Sequence, residues 1–261
     1  MSAVPSAVAG TLRSLTGALD GILGANLVGV YLYGSLTQLA FAPARSDIDC
    51  LVVVRRDLTH AQFLKLRTWL AQAAIADPWI PRLQMQVLVK GKLLRADTRG
   101  CLYQFGVLRR SGSDGNPIIW MNVLGSGLTL CGPAPATFLP PINSQMLFKA
   151  LVREIAYLRA EIGAPASKWR ELPFYRTYAV LTLCRILYSY RKNGVVVSKP
   201  RAARWALRAL PTRWHSLIRG AVASDRRKRP TLALPRIARF IEYVDAQLRS
   251  SQRPNREAAT E

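Results

Sequence analysis

Two carboxylates open one of the most apolar runs in the chain: Ser46-Asp47-Ile48-Asp49 leads straight into Cys50-Leu51-Val52-Val53-Val54. A short run of this kind reads as a buried strand. Alternate side chains of a strand share a face, so Asp47 and Asp49 emerge together, about 6–7 Å apart. Like charges held that close are unfavourable unless a cation or a proton lies between them. Upstream, Val30-Tyr31-Leu32-Tyr33 reads as a second strand ending in Gly34-Ser35, with eleven residues between that turn and Asp47. A Gly-Ser turn lets backbone N–H groups and a hydroxyl approach phosphate oxygens closely. Paired aspartates can hold Mg²⁺, which bridges phosphates. Either piece alone is an ordinary turn or a solvated aspartate; each beside its own strand, the two together point to a metal–nucleotide site.

The surrounding pattern is that of an α/β layer. Helical spacing covers residues 7–23 and 60–76, the second with Phe63, Leu66, Leu70 and Ala73 on one side. Strands are expected near 27–33 and 48–54, and over 83–89, where Leu83, Met85 and Val87 alternate with Gln84, Gln86 and Leu88. Residues 111–141 are rich in Gly and Pro and read as a boundary. Beyond it, 147–162, 178–192, 199–210 and 234–248 carry apolar residues at helical spacing. The expected organisation is an α/β domain over 1–141, a mixed sheet with flanking helices, then an all-α helical bundle over 142–250 and a polar, disordered tail over 251–261. Trp205, Trp214 and Tyr243 fall at core-like helical positions and are expected to pack.

Charge is unevenly placed. The net +22 divides into +6 over residues 1–145 and +16 over residues 146–261. Such a balance suits a polyanion, whether nucleotide phosphates, nucleic acid or an anionic surface. Arginine outnumbers lysine 29 to 8 in an alanine-rich chain, so codon usage is an equal explanation for the excess. Cys50, Cys101, Cys131 and Cys184 are scattered, as are His60 and His215, which argues against zinc and for reduced thiols in a cytoplasmic protein. No apolar run reaches the roughly 18–20 residues of a membrane span, and the N-terminus reads as an amphipathic helix rather than a signal peptide.

The Gly34-Ser35…Asp47-x-Asp49 pattern resembles that of the DNA polymerase β-like nucleotidyltransferases. A more specific resemblance lies in the second half. There "VLTLCRILYSY" (180–190) and "VVVSKPRAARWAL" (195–207) are similar to the helical domain of the streptomycin and spectinomycin adenylyltransferases, with "YQFG" (103–106) and "LCGPAP" (130–135) in support. The resemblance implies an N-terminal nucleotidyltransferase domain, a helical C-terminal domain and a site in the cleft between them. It implies Mg²⁺-dependent transfer of AMP from ATP to a hydroxyl of a small acceptor, which in that family is an aminoglycoside and confers antibiotic resistance. Asp47 and Asp49 would be the catalytic metal ligands. Gly34, Ser35 and Ser46 would line the triphosphate, and Arg185 and Lys199 would reach the ATP phosphates from the helical side. A lysine at a helix start suits anions on physical grounds as well, although a salt bridge for Arg185 and a solvated surface charge for Lys199 are the ordinary alternatives.

Three departures accompany the resemblance. The family's third carboxylate, a general base on the acceptor hydroxyl, corresponds here to Gln84, and an amide takes no proton. The aromatic that follows "QFG" is replaced by Val107-Leu108-Arg109. The acidic residues before "VLTL", which receive a cationic drug, are replaced by Phe174, Tyr175 and Arg176, and the loop 225–229 is basic. A polycationic acceptor would meet repulsion at such a rim. Glu171 is the remaining carboxylate on the helical side, as apt to start a helix on the surface as to serve a site; Asp97 and Asp114 have no periodic reason to face one. A transferase acting on RNA, or a catalytically weakened member that binds nucleotide or nucleic acid through its basic helices, is the alternative reading.

Overall fold

In the computed structural model, residues 4–44, 46–93, 99–112, 116–167, 172–223 and 232–250 are described. Expectations for Asp97, Asp114, Glu171, the loop 225–229 and the tail 251–261 lie outside these residues. The chain divides into two compact units, Met1–Ile142 and Asn143–Glu261.

The first unit starts with helix α1 (Ser6–Leu23), whose buried stripe Val8, Leu12, Leu15, Leu19 and Leu23 follows the three-and-four spacing of one helical face. It stops at Gly24, which takes φ +50°. Strands β1 (Leu27–Tyr33) and β2 (Ile48–Val54) pair antiparallel, joined by the Gly34–Asp47 loop. Helix α2 (His60–Ala76) opens with a capping box: the Thr59 hydroxyl accepts from Gln62 N at 3.1 Å and Thr59 N donates to Gln62 Oε1 at 3.2 Å. It buries Phe63, Leu66 and Leu70. It is the crossover that lets β3 (Leu83–Val89) lie parallel to β2.

Strands β4 (Gly100–Gln104) and β5 (Val107–Gly112) form a hairpin through Phe105-Gly106, both with positive φ. Helix α3 (Pro117–Ser126) and strand β6 (Leu128–Cys131) follow. The segment expected to be a boundary thus completes the sheet, whose order is β5-β4-β3-β2-β1-β6. The Tyr31 hydroxyl donates to Pro133 O at 2.9 Å and fastens the chain after β6 to β1. Burial pushes that phenol up to about 12, with a smaller push from Cys131.

Alternation sorts the sheet into two faces. Val30, Leu32, Ile48, Cys50, Val52, Leu83, Met85 and Val87 pack with the apolar stripes of α1 and α2. Tyr31, Tyr33, Leu51, Val53 and Leu88 pack with Trp120 and Val123 of α3.

The second unit is helical: α4 (Ser144–Gly163), α5 (Pro173–Arg191), α6 (Lys199–Ala209), α7 (His215–Ala223) and α8 (Leu234–Ser250). Helix α5 packs against each of the other four and buries Ala179, Val180, Leu183, Cys184 and Leu187. Burial pushes the Cys184 thiol up to about 12, so it is inert packing. Trp214 packs tilted against Phe240 and Tyr243, with ring centroids 4.9 Å and 5.3 Å away, and half-buried Tyr243 stacks on Phe240 at 6.2 Å, the packing their spacing suggested. Among the described residues no helix is long and apolar enough to cross a membrane.

Arg159 of α4 grips α8 by hydrogen bonds to Glu242 at 2.8 Å and 3.0 Å and to Asp245 at 2.8 Å, and Arg249, within α8, donates to Asp245 at 2.8 Å. Burial alone would raise the Asp245 carboxyl, but the hydrogen bonds from Arg159 and Arg249 outweigh it and hold it below the ordinary value. A lowered folded-state pKa contributes stability that is present above the unfolded value, ~3.9, and is lost as pH falls through the folded value. Asp245→Asn is therefore expected to cost ~1 kcal/mol near neutral pH, because the arginine partners are partly solvated. Melting curves run from neutral pH to below the carboxylate range would show wild type and variant converging in acid.

Candidate functional site

The parallel register of β2 on β3 sets Asp49 opposite Gln84, and the antiparallel register of β1 sets it opposite Tyr33. Paired residues share a face, and this one also carries Leu51 and Val53, packed on the α3 side. Asp49 is half-buried at the end of that row, while Asp47, one residue before β2, is exposed. The strand alternation that sends Ile48 and Cys50 into the opposite core is what releases Asp49 toward the site.

Gly34 closes the site on the β1 side. It adopts φ +75°, and a Cβ added there would run into the Asp49 carboxylate. Glycine is required both by the backbone and by the space that Asp49 fills. Next to it, the Ser35 hydroxyl oxygen is buried and has no hydrogen-bond partner among the described residues. A buried unpaired hydroxyl costs about 1–3 kcal/mol and is the kind of group that a ligand satisfies.

The loop that carries Ser35 is fixed from several sides. Thr37 Oγ1 donates to Gly34 O at 3.2 Å, and Ala40 N to Ser35 O at 3.1 Å. Gln38 Nε2 donates to Asn122 Oδ1 at 2.8 Å, and Asn122, buried on α3, donates in turn to Ile118 O at 2.6 Å. Sequence reasoning did not find Gln38, Asn122 or α3; a buried asparagine in an apolar decapeptide is the signal that was there.

Ser46 is turned toward its own loop. Its hydroxyl accepts from Ala42 N at 2.9 Å and its N–H donates to Ala42 O at 2.8 Å. Arg82, stacked 4.3 Å from the Trp79 ring centroid, donates to Ser46 O and to Pro43 O. Arg82 therefore clamps the approach to Asp47, another role the sequence did not disclose. Deeper on the Asp49 face, Gln86 is fully buried and donates to the Tyr33 hydroxyl at 3.4 Å.

Gly34, Ser35, Asp49 and Gln84 are thus brought together in the first unit, with Asp47 at the rim and Ser46 supporting the loop. Among the described residues, no group of three His, Cys, Asp or Glu could hold a metal ion. Two carboxylates are what a Mg²⁺ site needs when phosphates and water complete the octahedron, so the donor set fits a metal that arrives with a nucleotide.

Arg185 and Lys199 lie in the second unit. Lys199 is the first residue of α6, and its Nζ sits 4.2 Å from the Tyr178 ring centroid on α5. Arg185 follows Tyr178 by seven residues, two turns along the same side of α5. Between them Thr182 buries a hydroxyl oxygen with no partner among the described residues. Ser198 makes no side-chain cap to α6, and its carbonyl accepts from Ala202 N at 2.9 Å. Phe174 and Tyr175 meet edge-on at 5.5 Å in the first turn of α5, and Arg176 donates to Leu232 O at 3.3 Å.

Residues 137–247 match the family model described as aminoglycoside adenylyltransferase, C-terminal domain. No curated protein sequence matches the chain. Among solved structures, it is similar to the crystal structure of spectinomycin adenyltransferase AAD(9) from Enterococcus faecialis with ATP and spectinomycin. The TM-score is 0.71 at 17% identity, covering 92% of this chain and 98% of that one. At that identity the likeness establishes the fold alone: a six-stranded mixed sheet with flanking helices, followed by a helical unit.

Proposed function

We propose, from the match of residues 137–247 to the aminoglycoside adenylyltransferase C-terminal domain and from the likeness in fold, that this chain is an aminoglycoside adenylyltransferase-like nucleotidyltransferase, which transfers AMP from ATP to a hydroxyl of a small acceptor with Mg²⁺. The observation that carries this reading is the contact of Gly34 with the Asp49 carboxylate beside the unpaired Ser35 hydroxyl. That contact turns a loop and a strand end into one polar cradle for a triphosphate.

Within the cradle, Ser35 donates its hydroxyl hydrogen to a phosphate oxygen and so gains the partner it lacks. Asp47 and Asp49 would hold Mg²⁺, which would supply neutralisation of phosphate charge. Lys199 and Arg185 are assigned to the phosphates from the helical domain. The acceptor oxygen attacks the α-phosphorus, a P–O bond to the acceptor forms, and the bond to pyrophosphate breaks. Most of the barrier reduction comes from alignment and charge stabilisation.

The acceptor proton distinguishes this chain from the family pattern. Gln84, in register with Asp49, can accept a hydrogen bond from the hydroxyl through its amide oxygen and orient it. It cannot take the proton, which must leave to water. The same observation favours a second reading, a slow or weakened transferase that retains nucleotide binding. The replacement of the family's acidic rim by Phe174, Tyr175 and Arg176 supports an acceptor among neutral or anionic hydroxyl compounds rather than polycationic drugs.

Calorimetric titration with ATP, with and without Mg²⁺, tests the site. Wild type is expected to bind in a Mg²⁺-dependent manner, and Asp47→Ala/Asp49→Ala to lose at least about tenfold in affinity, the range for removing charged contacts. Unchanged Mg²⁺-dependent binding by the double variant would put the nucleotide elsewhere.

A further inference from the structure

The outer face of α6, beyond Lys199 at its start, has no part in the transfer proposed above. Its inner face is Ala202, Ala203 and Ala206, all buried, small enough to bring the helix close to α5. Its outer face carries Arg201, Arg204 and Arg208, all exposed. At 3.6 residues per turn these three fall within about 60° of one another and span roughly 10 Å of helix axis.

These arginines have no acidic partner among the described residues, and the local sequence explains why. Residues 172–224 contain eight Arg and two Lys and not one Asp or Glu. Within this unit, the described carboxylates, Glu154, Glu161, Glu242 and Asp245, all belong to α4 and α8, where Arg159 and Arg249 bind two of them. A basic excess from codon usage alone would be scattered. Here the described acids and their ion pairs occupy one pair of helices, and Arg201, Arg204 and Arg208, without an acidic partner among the described residues, line α6.

An indole lies beside the stripe. Trp205 follows Arg201 by four residues and precedes Arg208 by three, which places it on the same side of α6. It is half-buried and held edge-on by Tyr188, with ring centroids 5.4 Å apart at 88°. Arg191, from the end of α5, brings its guanidinium to 5.8 Å from the same ring and widens the cationic patch.

We infer that the Arg201–Arg204–Arg208 face of α6, with Trp205 and Arg191 at its edge, binds the phosphodiester backbone of single-stranded nucleic acid independently of sequence. The guanidinium fork suits phosphate better than a point charge does. Steps of ~4.5 Å and ~6 Å between successive arginines along the axis suit a chain of repeating anions. Cations flanking an aromatic side chain are the recurrent equipment of single-strand binders. A lipid surface fits less well, because the apolar residues of α6 face its own core, and surface helices bind membranes through an exposed apolar face. This surface does not depend on the transfer reaction.

Fluorescence anisotropy with a labelled oligouridylate of about 20 nucleotides tests it on the full chain, titrated at roughly 50 to 200 mM salt. Binding at low salt is expected, with Arg201→Gln/Arg204→Gln/Arg208→Gln at least about tenfold weaker and its log–log salt slope shallower by ~2, at ~0.7 per phosphate contact. A charge-matched variant on the exposed faces of α1 and α2, Arg13→Gln/Lys65→Gln/Arg67→Gln, is expected to bind nearly as wild type. Should the α6 triple variant melt early, Arg204→Gln alone reads the same slope, shallower by ~0.7. The inference is overturned by absence of binding at low salt, by equal losses in the two triple variants, or by phosphatidylserine vesicles displacing the RNA at matched charge.

Discussion

Gln84→Glu is expected to raise the rate of AMP transfer by ~10²–10⁴-fold, the usual contribution of a positioned general base. The register leaves little freedom in where that carboxylate would stand. Gln84 is the Cα partner of Asp49 across the parallel β2–β3 ladder and shares its face, so a glutamate there differs from the native residue by one amide nitrogen. It would remove the acceptor proton as the new bond forms, whereas the amide can only hold it. KM for ATP should hardly move, because the proposed nucleotide cradle of Gly34, Ser35 and the aspartates is left unchanged. The pH–rate profile should acquire an acid limb with the pKa of the introduced carboxyl. A third negative charge beside Asp49 also carries a cost in the absence of the metal, so the variant should melt lower without Mg²⁺ and recover with it. A rate unchanged by the glutamate, with ATP binding intact, would mean that Gln84 faces no acceptor and that the weakened-transferase reading is the better one.

How much of this was legible beforehand follows the strength of local patterning. The strands at 27–33, 48–54 and 83–89 and the helix at 60–76 stand where alternation and three-and-four spacing put them. The place of Asp49 on the face of Leu51 and Val53 needed only the rule that alternate strand residues share a face. What stayed hidden lies where periodicity fails. Helix α3 reads PIIWMNVLGS, apolar on nearly every side, so no stripe betrays it. Its start was marked only by Asn116-Pro117, where the Asn116 side chain caps Ile118 N at 2.9 Å and Pro117 takes the first helical position. The surrounding Gly and Pro made the whole segment look like a linker. Strand β5 hid for a different reason: as a sheet edge it carries Arg109 and Arg110, charges that blunt edges and erase the strand pattern. Arg82, Gln38 and Asn122 hold the site through contacts 36 and 84 residues apart in sequence, which no local window contains. The arginine face of α6 was visible as charge, but only the distribution of carboxylates among the folded helices separates a surface from a compositional bias.

Gly34→Ala is expected to abolish Mg²⁺-dependent ATP binding and to cost more stability than backbone strain alone. Two effects superpose at this position. The first is conformational: φ +75° is a left-handed geometry that costs a Cβ-bearing residue ~1–2 kcal/mol. The second is steric, since the new methyl group would occupy the place of the Asp49 carboxylate. The chain contains its own control. Gly106, in the β4–β5 turn, has the same φ of +75° and nothing within 4 Å of an added Cβ. Gly106→Ala therefore reports the conformational cost by itself, and the excess loss in Gly34→Ala reports displacement of Asp49. Denaturant melts of both variants give the stability difference, and ATP titration with Mg²⁺ gives the functional one. Gly106→Ala should bind ATP as wild type does, while Gly34→Ala should not, even under conditions where it remains folded by circular dichroism. Equal destabilisation of the two variants with ATP binding retained in both would show that Asp49 moves aside without consequence. The cradle formed by Gly34, Ser35 and Asp49 would then have no claim to the triphosphate.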